Sequence, residues 1–238
     1  MAFRTHQRHY EYRVMLFSLC NAPSTFQEAM NNLLTSFMRC FIVVFFDDIL
    51  VYSDSLSSHI QHLETIFQML LQGQFYLKRT KGLFVQTQLE YLGHIVSGKG
   101  VESEPSKIRA MVQWPTPTSS KELRAFLGLT GFYRKFIKNY ASIVAPLTSL
   151  LCKDMCIWIV TSQSAFDQLK AAMTSAPVLA LPNFVEPFTI ETDASGIAMG
   201  AVLMQKGHPI AFFNKPFGPR LIHASTYCRS KLHDDESS

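Results

Sequence analysis

Two adjacent aspartates, Asp47 and Asp48, are set between hydrophobic runs, Phe41-Ile42-Val43-Val44-Phe45-Phe46 before them and Ile49-Leu50-Val51-Tyr52 after. Carboxylates in that setting suit magnesium, a hard cation that takes oxygen ligands and usually completes its shell with substrate phosphates. As an ordinary hairpin turn the pair is a poor choice. The two acids repel each other, and neither is the glycine that a type I′ turn favours, so a cation is the reason to place them there. The alternative is a solvent-exposed acidic turn. The flanking aromatic and β-branched residues predict a β-hairpin over residues 41–52 whose tight turn consists of the two carboxylates.

Two other stretches could do chemistry. Phe132-Tyr133-Arg134-Lys135-Phe136-Ile137-Lys138 interleaves rings and cations. Such a segment can track a phosphate backbone while its rings pack or stack, or it can be an amphipathic helix with its aromatics in the core and its lysines in water. Phe188-Thr189-Ile190-Glu191-Thr192-Asp193 alternates strictly, which predicts a strand with Thr189, Glu191 and Asp193 on one face. The five cysteines have no Cys-x-x-Cys spacing and read as reduced thiols, and the eight histidines are scattered with no metal-ligand spacing.

The elements that must position these residues begin with a strand over 10–15 and a helix opened by Pro23, with Phe26, Met30, Leu33, Leu34 and Phe37 at helical spacing. After the hairpin, Ile60, Leu63, Ile66, Phe67, Leu70 and Leu71 mark a second helix that Gly73 is placed to end as a left-handed cap. Short strands are expected at 75–78, 83–85 and 91–96, closed by the turn Ser97-Gly98-Lys99-Gly100. This order gives an α+β pattern on an antiparallel sheet. From Pro105 the chain turns helical. Ile108, Met111 and Val112 form a stripe, Trp114-Pro115-Thr116-Pro117 stops that helix, and Ser119-Ser120-Lys121-Glu122 has the spacing of a capping box for the next. Gly128 and Gly131 are candidate bends. A further helix holds Phe166, Leu169 and Met173 and ends before Pro177. A proline-bearing linker over 181–187 marks a domain boundary, followed by strands over 188–193, 198–205 and 210–213.

The chain has 238 residues, 47% hydrophobic and 17% charged, which describes a folding chain rather than a disordered one. Its net charge of +4 permits a nucleic-acid partner without demanding it. No stretch reaches the roughly 18 apolar residues of a membrane span, and the start lacks a signal peptide's apolar core, so an intracellular, non-membrane protein is expected.

Taken together, these residues resemble the polymerase polyprotein of long-terminal-repeat retrotransposons of the Ty3/gypsy type. The motifs are Asn21-Ala22-Pro23-Ser24-Thr25-Phe26, Phe45-Phe46-Asp47-Asp48, Tyr91-Leu92-Gly93-His94-Ile95-Val96-Ser97, Phe126-Leu127-Gly128-Leu129 with the segment from Phe132, and Glu191-Thr192-Asp193-Ala194-Ser195. Five such matches, in family order and spacing, cover nearly the whole chain. The resemblance implies a partial reverse-transcriptase palm over 1–97, a helical thumb over 98–150, a connection over 151–186 and a partial α/β ribonuclease H-like domain over 187–238, truncated at both ends.

It also implies RNA-directed DNA polymerase activity by two-metal catalysis on a primed RNA or DNA template with deoxynucleoside triphosphates. Asp47 and Asp48 would be magnesium ligands. Phe45 would lie beneath the primer end, Phe17 and Ser18 would line the nucleotide pocket, and Leu92, Gly93 and His94 would form the primer grip. Asp193 would be the first ribonuclease H carboxylate and metal ligand, and lysines and arginines of the thumb would contact phosphates. Three departures bear on activity. The family's first catalytic aspartate falls upstream of residue 1. Leu16 and Ser18 stand where the family usually has Pro and Gly, so a β-carbon at position 18 could crowd the nucleotide. Ser230 stands where the ribonuclease H domain has its second acid. The expectation is a polymerase segment inactive on its own, or a catalytically dead nucleic-acid-binding remnant.

Overall fold

The computed structural model describes residues 2–12, 19–151, 157–195 and 197–217. The chain forms two compact units, residues 1–86 and 87–238. Among the described residues no helix is long and apolar enough to cross a membrane.

The first unit opens with a small antiparallel hairpin, β1 (Ala2–Arg4) and β2 (His9–Glu11), on which Phe3 and Tyr10 stack with centroids 5.5 Å apart. The strand expected over 10–15 is therefore shorter where it is described. Helix α1 (Ala22–Leu34) carries Pro23 in its first turn, where a missing N–H costs nothing, and buries Met30 and Leu34. It packs on β3 (Ile42–Phe45) and β4 (Asp48–Val51), an antiparallel pair whose inward residues Ile42 and Val44 meet Ile66 and Leu70 of α2 (Leu56–Gln72). Ser55 caps α2 by accepting from the Ser58 N–H at 3.1 Å.

Two expectations fail at the end of this unit. Gly73 has φ −75° and the left-handed residue is Gln74, at φ 58°. A Cβ at Gly73 would stand 2.8 Å from Leu33 Cδ2, so a larger residue there would make that leucine side chain shift. No strands form over 75–78 and 83–85. That stretch is irregular apart from a 3₁₀ turn at Arg79–Lys81, and its two short apolar runs are largely exposed rather than covered by a sheet.

The second unit starts with a three-stranded antiparallel sheet, β5 (Gln88–Tyr91), β6 (His94–Ser97) and β7 (Gly100–Ser103). The single strand expected over 91–96 is thus a hairpin turning at Leu92-Gly93, whose φ values of 50° and 73° are those of a type I′ turn. β7 also pairs with residue 179 through Val101 N–H to Leu179 O (2.8 Å) and its reciprocal (2.9 Å). Gly100, at φ 136°, permits this approach, because a Cβ would lie 2.2 Å from Leu179 O.

Helices α3 (Pro105–Val112), α4 (Ser120–Phe132), α5 (Tyr140–Leu151) and α6 (Val160–Thr174) enclose the larger core around Met111, Leu123, Phe126, Leu147, Phe166 and Leu169. Ser119 caps α4 by accepting from Glu122 N–H. The Glu122 carboxylate reaches back to Thr118 N–H at 2.8 Å, one residue earlier than a standard capping box, and these bonds hold its acid below the usual carboxylate range. α4 runs on through Gly128 and Gly131. The last sheet is β8 (Thr189–Ala194), β9 (Ala198–Gln205) and β10 (His208–Pro216), antiparallel in the order β10-β9-β8.

Candidate active-site hairpin and nucleic-acid turn

Phe45 pairs with Asp48, so the two-residue turn of the β3–β4 hairpin is Phe46-Asp47 and Asp48 is already the first residue of β4. This corrects the expectation that both carboxylates form the turn. Phe46 has φ 50°, a left-handed conformation that a bulky side chain rarely adopts. The reason it persists lies on α1. The Gln27 side-chain oxygen accepts from the Phe46 N–H, while its amide nitrogen donates to Asn31 Oδ1 at 2.7 Å and to Val44 O at 3.4 Å. One glutamine thus ties a helix to the strained turn that precedes the acids. Gln27 escaped the reading from sequence. Its signal was a polar residue beside Phe26 on the stripe that α1 otherwise buries.

Both carboxylates are exposed. Because strand side chains alternate, Val43, Phe45, Asp48 and Leu50 share the outward face, opposite Ile42, Val44, Ile49 and Val51. Phe45 is 47% exposed, with its ring edge-on to Phe46 at 4.7 Å. An accessible aromatic therefore lies beside two oxygen-donor side chains on a braced tip. Among the described residues no group of three or more His, Cys, Asp or Glu side chains could hold a metal ion. Phe17 and Ser18 lie outside the described residues.

In the second unit the Leu92-Gly93 turn is docked on the helices. Tyr133 donates its hydroxyl to Gly93 O at 2.9 Å, and the His94 ring stacks on Phe132 (5.2 Å, 7°) with Tyr133 and Phe136 at 5.6 and 5.4 Å. His94 is 9% exposed and its Nδ1 has no hydrogen-bond partner. Burial, helped by the Lys135 cation, pushes its pKa down to about 4. Of the three residues assigned to a primer grip, His94 faces inward as a positioning group, and Leu92 is the one whose side chain is open to solvent. Tyr133 and Phe136 are buried, at 2% and 1% exposure, so the interleaved segment uses those rings for the core and leaves only Phe132 accessible. Lys135 is half-buried over the Phe136 ring, and that burial lowers its pKa.

Asp193 lies on β8 opposite Gly200, exposed, with Glu191 on the same face. A shallow cleft of about 90 Å³ joins them to Lys138, Asn139 and Asn214. Asn214 donates to Ile137 O at 3.1 Å and Ser142 meets Ser195 at 3.4 Å, so the residues around α5 hold this face of the sheet.

Comparison with known proteins gives a consistent result. The family described as "Reverse transcriptase (RNA-dependent DNA polymerase)" matches residues 1–96, and that described as "RNase H-like domain found in reverse transcriptase" matches residues 158–232. The chain is 45% identical over 226 residues to the retrovirus-related Pol polyprotein from transposon 297 of Drosophila melanogaster, covering 94% of this chain and 21% of that protein. It is 35% identical over 219 residues to the Pol polyprotein from transposon gypsy of the same fly, covering 87% of this chain and 21% of that one. The chain spans about a fifth of the length of these relatives. A foamy viral protease-reverse transcriptase solved with an RNA/DNA hybrid has the same fold, with a TM-score of 0.85 at 22% identity over 99% of this chain and 33% of that one.

Proposed function

Because the chain belongs to the retrotransposon Pol family, with a reverse-transcriptase segment followed by an RNase H-like one, we propose that its β3–β4 hairpin carries two metal carboxylates of an RNA-directed DNA polymerase. The observation that carries this reading is the strained Phe46-Asp47 turn braced by Gln27, which holds Asp47 and Asp48 exposed at a fixed tip. Strain maintained at Phe46, beside two acids, is costly for a merely solvated loop and useful for a preorganised ligand set. The donors fit magnesium in kind, since this ion is commonly held by one or two carboxylates and completed by substrate phosphates. Bound there, the metal would supply charge stabilisation to phosphoryl oxygens.

The remaining assignments follow the same logic. Phe45, on the face of Asp48, offers a ring on which a primer terminus can rest. Leu92 and Gly93 present a rigid turn to the nucleic-acid backbone, with Tyr133 and His94 holding it. Asp193 is the first carboxylate of a ribonuclease H-like site, with Glu191 beside it. The substrates are a primed RNA or DNA template and deoxynucleoside triphosphates. Catalysis needs more charge than two carboxylates supply, and among the described residues no third joins them.

Manganese line broadening tests the metal assignment. In ¹H–¹⁵N spectra of the whole chain, substoichiometric Mn²⁺ should bleach the amides around Phe46 and Asp47, and Asp47→Asn with Asp48→Asn should abolish the effect. Broadening that spares this tip, or persists in the double variant, contradicts the reading.

A further inference from the structure

The segment that follows α2 is a loop pinned at both ends. Phe75 returns its N–H to Leu70 O at 2.8 Å and sets its ring edge-on to Phe26 at 5.8 Å, while Phe84 meets Phe67 at 6.1 Å. Between these anchors the chain makes the Arg79–Lys81 turn, closed by Lys81 N–H to Lys78 O at 2.9 Å. Tyr76 stands out from it at 88% exposure, far beyond what a tyrosine needs to keep its hydroxyl wet.

Lys78, Arg79 and Lys81 follow at once and are exposed. From Thr65 to Leu89 the sequence contains no aspartate or glutamate, and among the described residues none of the three cations has an ion-pair partner. A ring and three unneutralised cations on one pinned loop match a nucleic-acid strand, whose phosphates take the charges and whose unpaired bases take the ring. The segment 132–138 also carries three cations, but it spends two of its three rings in the core.

We propose that residues 76–81 form a contact for single-stranded nucleic acid, with Tyr76 as the base-stacking platform and Lys78, Arg79 and Lys81 as phosphate contacts. The proposal rests on the reading of the chain as a polymerase segment and adds a surface to it. The loop is presented ready-made, so little ordering opposes binding.

The test is anisotropy binding of labelled oligo(dT), and of an abasic strand of equal length, to the whole chain across a salt series. The variants are Tyr76→Ala and the triple Lys78→Gln, Arg79→Gln, Lys81→Gln, with circular dichroism to confirm that both keep the fold. Three lost phosphate contacts at about 0.7 each should lower the slope of log K against log salt by about 2. Loss of a stacked base should weaken oligo(dT) binding about 5- to 100-fold and leave the abasic strand unchanged. An unchanged slope in the triple variant overturns the phosphate assignment, and equal loss on both strands overturns the stacking role. Polyglutamate competing as well as oligo(dT) overturns the proposal in favour of an acidic protein partner. Wild-type chain that binds neither strand overturns it together with its parent reading, whereas wild-type binding that both variants match overturns this proposal alone.

Discussion

His94 should make the second unit acid-sensitive by a predictable amount. In the folded chain its ring is buried against Phe132, Tyr133 and Phe136, and its pKa lies at about 4, below the ordinary 6.5 expected of the unfolded chain. Above pH 6.5 both states are neutral at this residue and the stability it contributes is fully present. As pH falls below 6.5 the unfolded chain takes up a proton that the folded chain refuses, so stability drops until the folded pKa is passed. The gap between 6.5 and about 4, at about 1.4 kcal/mol per pH unit, caps the loss at about 3 kcal/mol.

His94→Phe keeps a flat ring in the stack, removes the titration and removes the unpartnered Nδ1. It should be at least as stable as the wild type at pH 7, since an unsatisfied buried nitrogen costs about 1 kcal/mol or more. It should also lose about 3 kcal/mol less between pH 7 and pH 4. The two tryptophans, Trp114 against Phe126 and Trp158 against Phe166, both report on the core of this unit, so urea titrations followed by tryptophan fluorescence read the correct transition. Identical pH dependence in wild type and variant would refute this role for His94, because other titrating groups are common to both.

Three further outcomes follow from particular contacts. Gln27→Ala leaves the Phe46 N–H without its acceptor, at about 1–2 kcal/mol, and hydrogen exchange at that amide should quicken about 5- to 30-fold while amides of α2 are unaffected. Gly100→Ala sets a Cβ against Leu179 O on a positive-φ residue and should destabilise the second unit by about 2–4 kcal/mol in the same urea assay. Ser119→Ala removes the α4 cap and should cost about 1 kcal/mol, visible as a lowered urea midpoint with unchanged slope.

Much of this architecture was legible in the sequence where a local rule and the tertiary demand agree. Pro23 and the Met30/Leu34 stripe predict α1, Ser119 with Glu122 predicts the start of α4, and the alternation at 189–193 predicts β8. The hairpin with its two acids was readable, but its turn was displaced by one residue. Turn register depends on which residue accepts positive φ, and Phe46 accepts it only because Gln27, nineteen positions away, holds its amide.

Other features were invisible for the same reason. His94 looks like a surface residue of a nucleic-acid turn until the rings of α4 and the following 3₁₀ turn close over it. The 75–85 stretch looks like two strands because of its short apolar runs Phe75-Tyr76-Leu77 and Leu83-Phe84-Val85, yet no neighbouring strand pairs with it. α5 carries too continuous an apolar run to show a stripe, and its place is fixed by the core it fills. Local pattern sets the elements, and long-range contacts decide which side chains are left for function.

The central claim is that the braced Asp47-Asp48 tip is a polymerase metal hairpin. Replacing the matching segment of the transposon 297 Pol polyprotein, 45% identical to this chain, with the chain itself supplies the rest of such an enzyme around it. Primer extension by that chimera on an RNA template with magnesium is the most direct measurement. Product is expected from the chimera, with a loss of at least about a hundredfold on Asp47→Asn, from the several kcal/mol that a metal ligand contributes to the transition state. A chimera that extends primers equally well with and without that substitution would contradict the claim.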